Sequence, residues 1–195
     1  MKLRFRLCWT SVVFSMRYED ALTALEYAKR EFIARDSYLL ERDANERSMT
    51  HKFAGYLEEA IRRQFPTLHV DCEYNRDSSD KKRLAVPKRL SIAAKKRVRL
   101  DNDRGGTVFP DIIVHRRGTS ENVIVIEAKK SGGDTEFDCE KLKAFLGEYG
   151  YEHAMLIVFV TDGEPNITIE PIQRGSAPTA SINRIKNTAL NKVGI

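Results

Sequence analysis

Two carboxylates and an amine stand out before any element is assigned. Pro110-Asp111 opens the apolar run Ile112-Ile113-Val114, and a second run, Asn122 to Ile126, ends in Glu127-Ala128-Lys129-Lys130. An Asp and a Glu brought together form a hard-oxygen site of the kind that takes Mg2+ or Mn2+ with several retained waters. An amine beside such an ion can orient or help deprotonate one of those waters, or stabilise charge developing on a phosphate. The plainer reading has Glu127 and Lys129 as strand-end charges in solvent and Asp111 as a turn residue after Pro110. An Asp with a distant Glu-x-Lys is a weak pattern by itself, so its weight depends on the elements that carry it.

Both runs are β-branched, and they flank His115-Arg116-Arg117 and the loop Gly118-Thr119-Ser120-Glu121, which predicts an antiparallel hairpin. Centring the loop near Thr119 sets Asp111 opposite Glu127, with side chains roughly 5 Å apart on one face. Lys129, two residues beyond Glu127, shares that face. Like charges opposed in a sheet cost stability, more so beside apolar surroundings, and a cation between them offsets the cost. Position at facing ends of two apolar strands therefore favours a site over solvated charges.

The flanking elements follow from periodicity. Leu22, Leu25, Ala28, Phe32 and Ile33 predict a helix over 19–34, interrupted at Asp36-Ser37. A second helical region runs from Tyr38 to about Phe65, with a break near Asp43-Ala44-Asn45 and Pro66 as its stop. Glu46 lies on the inward stripe with Met49, Phe53 and Leu57, from which it can reach a metal site. Asp43-x-x-Glu46 equally fits a capping box in which Glu46 folds back on the Asp43 amide. His69 to Tyr74 predicts an edge strand. After the hairpin, Asp134-Thr135-Glu136 opens a helix to about Tyr149 with Phe137, Leu142, Phe145 and Leu146 on its apolar side. Lys141 and Lys143 read by default as solvated, with phosphate contact as the alternative. Ala154 to Val160 predicts a central strand buried on both faces, and Asn166 to Glu170 a final edge strand. His115 reads as a packed, satisfied histidine, with phosphate contact as the alternative.

Charge is concentrated in one stretch. Between Arg76 and Arg99, ten cations face two acids, a net +8 that exceeds the +5 of the whole chain. Lys81, Lys82, Arg83, Lys88, Arg89, Lys95, Lys96 and Arg97 are the candidate phosphate contacts, because such concentration is the footprint of nucleic-acid binding. A solvated loop is the alternative. The 195 residues, 42% apolar and 31% charged, suit one α/β domain over 19–173. Its core spans about 45–172, with a basic loop over 76–106. Residues 1–18 read as a flexible or strand-like extension, with Met16 as an alternative start, and 174–195 as a weakly ordered tail. Three scattered cysteines, Cys8, Cys72 and Cys139, suggest reduced thiols and a cytoplasmic location. No run approaches the ~20 apolar residues of a membrane span. No GxGxxG, GxxxxGK or GxSxG is present.

The order helix, strand, hairpin with Asp and Glu-x-Lys, helix, strand resembles the PD-(D/E)XK nuclease superfamily over roughly 45–172. The resemblance implies a restriction endonuclease-like mixed β-sheet flanked by helices, an αβββαβ core to which the first helix is an addition. It also implies Mg2+-dependent (or Mn2+-dependent) endo- or exonuclease activity, a phosphodiester hydrolase acting on nucleic acid, with DNA as the expected substrate. Asp111, Glu127 and the main-chain carbonyl of Ala128 would bind metal. Lys129 would be the catalytic lysine, and Glu46 the acidic residue that contacts metal through water. With no separate sequence-reading domain evident, recognition would use structure, ends, a second copy of the chain or a partner protein. The alternative is a non-catalytic nucleic-acid-binding module built on the basic segment.

Overall fold

The two β-branched runs pair as the hairpin that their composition predicts. The computed structural model describes residues 15–74 and 109–174, with the backbone of five two-residue strands between them. In chain order the elements are α1 (Tyr18–Glu41), α2 (Glu46–Gln64), β1 (His69–Cys72), β2 (Arg76–Asp77), β3 (Asp80–Lys81), β4 (Arg83–Leu84), β5 (Arg99–Leu100), β6 (Gly106–Thr107), β7 (Ile112–His115), β8 (Asn122–Lys130), α3 (Glu136–Glu148), β9 (His153–Val160) and β10 (Asn166–Ile172). Five strands form a mixed sheet in the order β1-β7-β8-β9-β10. Its neighbours are antiparallel except β8 and β9, which run parallel and are joined through α3, as a parallel pair requires.

Side-chain alternation divides the core into two layers. Ile112, Val114, Ile124, Ile126 and Ala128 turn toward α1 and α2, where Phe32, Phe53 and Phe159 fill the interior. Ile113 and Val125 turn the other way, onto Phe137, Leu142, Phe145 and Leu146 of α3. Each such side chain contributes about 1.5–3 kcal/mol when fully buried. A one-residue slip of β8 would exchange its two faces, so burial on both sides locks the register.

The interruption expected at Asp36-Ser37 is present as a kink: Asp36 leaves helical geometry at φ −129° and ψ 18°, and helical turns resume beyond it to Glu41. The Asp36 carboxylate accepts the Tyr56 hydroxyl at 2.6 Å, which ties the kink to α2. Burial, reinforced by that carboxylate, pushes the Tyr56 hydroxyl up to about 12. The break expected near Asp43-Ala44-Asn45 is the turn before Glu46, where Asp43 adopts φ 50°. The run predicted to be an interior strand buried on both faces is β9, which lies between β8 and the edge strand β10. The basic stretch is not loop alone, for it holds a β2–β3 ladder and a small sheet in the order β4-β6-β5, with the β4 backbone beside α3.

The side chains of Lys81, Lys82, Arg83, Lys88, Arg89, Lys95, Lys96 and Arg97 lie outside the described residues, as do residues 1–14 and 175–195. Among the described residues no helix is long and apolar enough to cross a membrane. Cys72 and Cys139 are free, and burial pushes both thiols up to about 11.

At the far end of β7, His115 is buried with its Nε2 2.8 Å from Asp71 Oδ2, and Tyr74 lies against its ring. Arg117 donates to the same carboxylate through Nε at 2.8 Å and through Nη2. His115 is thus a satisfied histidine. The Arg117 guanidinium, against the cost of partial burial and aided by His115, holds the Asp71 carboxyl below its usual range. A carboxyl lowered in the folded state stabilises the fold above its unfolded value of about 3.9 and loses that contribution as pH falls through the folded value. Asp71→Ala should therefore cost about 1–3 kcal/mol at neutral pH, with the loss shrinking below about pH 4. Urea melts across that range check this, and a pH-independent loss would contradict it.

Candidate active site

Continuing the β7–β8 register one pair beyond Ile112 and Ile126 sets Asp111 across from Glu127. Asp111 precedes β7, and its Oδ2 accepts the Ala128 N–H at 2.8 Å, fixing the carboxylate against the mouth of the hairpin. Within a strand the N–H and C=O of one residue point to the same neighbour, so the Ala128 carbonyl opens on the Asp111 side as well. Glu127 shares the α3 face with Val125 and is only 1% exposed. Lys141 Nζ lies 2.6 Å from its Oε2, whereas its Oε1 is buried without a hydrogen-bond partner among the described residues. Lys129, next outward on that face, holds its ammonium 3.4 Å from Glu46 Oε1 and 3.5 Å from Asp138 Oδ2.

Glu46 reaches this corner from the first turn of α2, where its Oε2 accepts the Lys130 N–H at 3.0 Å. The capping box does not form. Asn45 is the cap, its Oδ1 accepting the Arg47 N–H at 2.9 Å, and Asp43 pairs with the Lys130 ammonium instead. With Glu46 pointing across the turn, α2 and β8 are tied together at the edge of the site.

Burial above all pushes the Glu127 carboxyl well above its usual range. The charges of Asp111 and Asp138 push the same way, and Lys141 opposes them. Burial works to lower Lys129, yet the charges of Asp138, Glu46, Asp111 and Glu127 outweigh it, and the amine is raised. Lys129 is thus an ammonium held among carboxylates. Among the described residues, Lys129 pairs with Glu46 and Asp138 and Lys141 pairs with Glu127, so carboxylates crowd this corner.

All four sequence-predicted side chains of the site, Asp111, Glu127, Lys129 and Glu46, meet here. Two further residues from α3 join them. Lys141 is not a solvated helix lysine, since its side chain is 11% exposed and its Nζ also donates to the Phe109 carbonyl at 2.9 Å. Asp138 is buried, and sequence reasoning misses it. Its signal is present nonetheless: 138, 141, 142 and 145 follow one helix face, and a carboxylate on an apolar stripe is the anomaly to notice. Lys143 pairs along the helix with Glu140 at 2.7 Å.

Among the described residues no three His, Cys, Asp or Glu side chains form a complete metal cage. Mg2+ requires less, being held by one or two carboxylates while waters and phosphate oxygens complete its shell. A buried carboxylate oxygen without a partner, beside a second carboxylate on the same face, fits such an ion. A cavity of about 390 Å³ adjoins this corner and is lined by Glu46, Arg47, His51 and Asp111 among others.

No protein-family model and no curated protein matches the chain. Among solved structures, the crystal structure of SSO0001 is similar at 16% identity over 87% of this chain and 73% of that one, with a TM-score of 0.33. At that level the likeness carries no argument about fold or function.

The corner is electrostatically crowded, and relief is measurable. Asp111→Asn keeps an acceptor for the Ala128 N–H and removes one of several like charges. In EDTA at neutral pH its melting temperature should rise, by about 2–4 °C for each 1 kcal/mol of repulsion relieved. A lower melting temperature would mean that the Asp111 charge is a net favourable partner of Lys129.

Proposed function

We propose that this chain is a metal-dependent phosphodiester hydrolase acting on nucleic acid, with DNA as its substrate, built on the PD-(D/E)XK arrangement. The observation that carries this reading is the buried, unpartnered Glu127 Oε1 on the same face as Asp111, with the Lys129 ammonium beside it. The succession α2, β1, β7, β8, α3, β9 supports it, being the αβββαβ order of the restriction endonuclease-like core.

Asp111, Glu127 and the Ala128 carbonyl would hold Mg2+ or Mn2+, with Glu46 reaching it through water. When bound, such an ion polarises a phosphate oxygen and makes water nucleophilic at neutral pH. The chain's own residues do the rest. Lys129, kept cationic by the surrounding carboxylates, donates to the attacking water and stabilises charge as it develops on the phosphate. Asp138 and Glu46 fix the direction of that amine from opposite elements, α3 and α2. Glu46 also holds the main chain of Lys130, so the strand end cannot drift from the helix. The basic residues of 76–99 supply attraction for phosphates flanking the cut, and the β4 backbone runs beside α3.

Plasmid and single-stranded DNA incubated with Mg2+ or EDTA test this reading. The parent should cut only with the metal, and Asp111→Ala and Lys129→Ala should each lose cleavage by 100-fold or more (on the order of 3 kcal/mol of transition-state stabilisation) while keeping the parent's circular dichroism. A parent that binds DNA without metal-dependent nicking would leave a non-catalytic binding module. Either variant cutting as well as the parent would remove the assignment.

A further inference from the structure

The two oxygens of Glu127 have different surroundings. Oε2 lies 2.6 Å from Lys141 Nζ, and Oε1 is buried with no partner among the described residues. Buried polar atoms in folded proteins are almost always satisfied, so one left open at the mouth of a site points to a ligand. Lys141 has a second anchor as well, donating to the Phe109 carbonyl at 2.9 Å, two residues ahead of Asp111. One side chain of α3 thus grips both the strand that carries Glu127 and the segment that carries Asp111. The helix beneath it is fixed by Leu142, Phe145 and Leu146 packed into the sheet.

We infer that Lys141 is a positioning residue for the metal site: it holds Glu127 Oε2, presents Oε1 to the ion, and sets the spacing between Glu127 and Asp111. This rests on the reading that Asp111 and Glu127 bind a divalent ion. A lysine that only neutralised Glu127 would have no need of the Phe109 carbonyl. Hydrogen-bond partners that hold a metal-ligating carboxylate typically change affinity by about 10–100-fold.

Calorimetric titration with Mn2+ of the full chain, beside Lys141→Met, Lys141→Arg and Asp111→Ala, tests the inference. The parent should bind and Asp111→Ala should not. Lys141→Met should bind at least about tenfold more weakly, and Lys141→Arg should recover most of the loss because it keeps a charged donor. If Lys141→Met fails to fold, Lys141→Gln, which keeps a neutral donor, makes the same comparison. Parent-like or tighter Mn2+ binding by the neutral variants overturns the role of Lys141 and leaves the metal site standing. A parent that takes no Mn2+, or takes it regardless of Asp111→Ala, overturns both.

Discussion

A carboxylate almost wholly removed from water at the mouth of an apolar sheet is the constraint on which the rest of this structure depends. Burying an ion costs several kcal/mol even after relaxation, and an ammonium at one of its oxygens offsets only part of that. Glu127 bears this cost with Asp111 and Asp138 close enough to oppose its ionisation. It cannot retreat to solvent, because Val125 on one side of it and Ala128 on the other belong to opposite layers of a locked core. A carboxyl held in so unfavourable a place departs from the local rules of burial, and the metal site proposed above is our account of that departure.

Three elements share the work of holding that place. The hairpin brings the two carboxylates and the Lys129 amine to one corner. The first turn of α2 delivers Glu46 to the Lys130 amide and the Lys129 ammonium from one side. From the other side α3 delivers Asp138 and Lys141, and it does so as the crossover that makes β8 and β9 parallel. Sheet topology and site chemistry are therefore linked, since the helix needed for the parallel pair is also the one whose polar side chains close the site. The kink at Asp36 and the Asp71 cluster at the other end of β7 are separate structural features, each satisfied by its own partners.

How much of this could be read in advance differs by element. The hairpin register was legible, because period-two alternation and a glycine-bearing loop leave few ways to pair Ile112 to Val114 with Ile124 to Ile126. The contribution of α3 was not. Lysines and aspartates on helices are usually exposed, and only packing against the sheet reveals that 138 and 141 share the inward face with Leu142. Asp43 and Asn45 both suit a helix cap and lie two residues apart, so the sequence left Glu46 between capping and the site. The continuous apolar run of β9 correctly signalled burial on both faces. It carried no information about which strands would lie beside it, whereas the alternation from Asn166 to Glu170 marked β10 as an edge strand.

The central claim is that Glu127 Oε1 and Asp111 share one divalent ion. The most direct measurement is anomalous scattering from crystals of the protein soaked in Mn2+. The account predicts one strong peak about 2.1 Å from a carboxylate oxygen of each residue. It is contradicted if Mn2+ at saturating concentration leaves Glu127 Oε1 without a ligand, or binds only elsewhere on the chain.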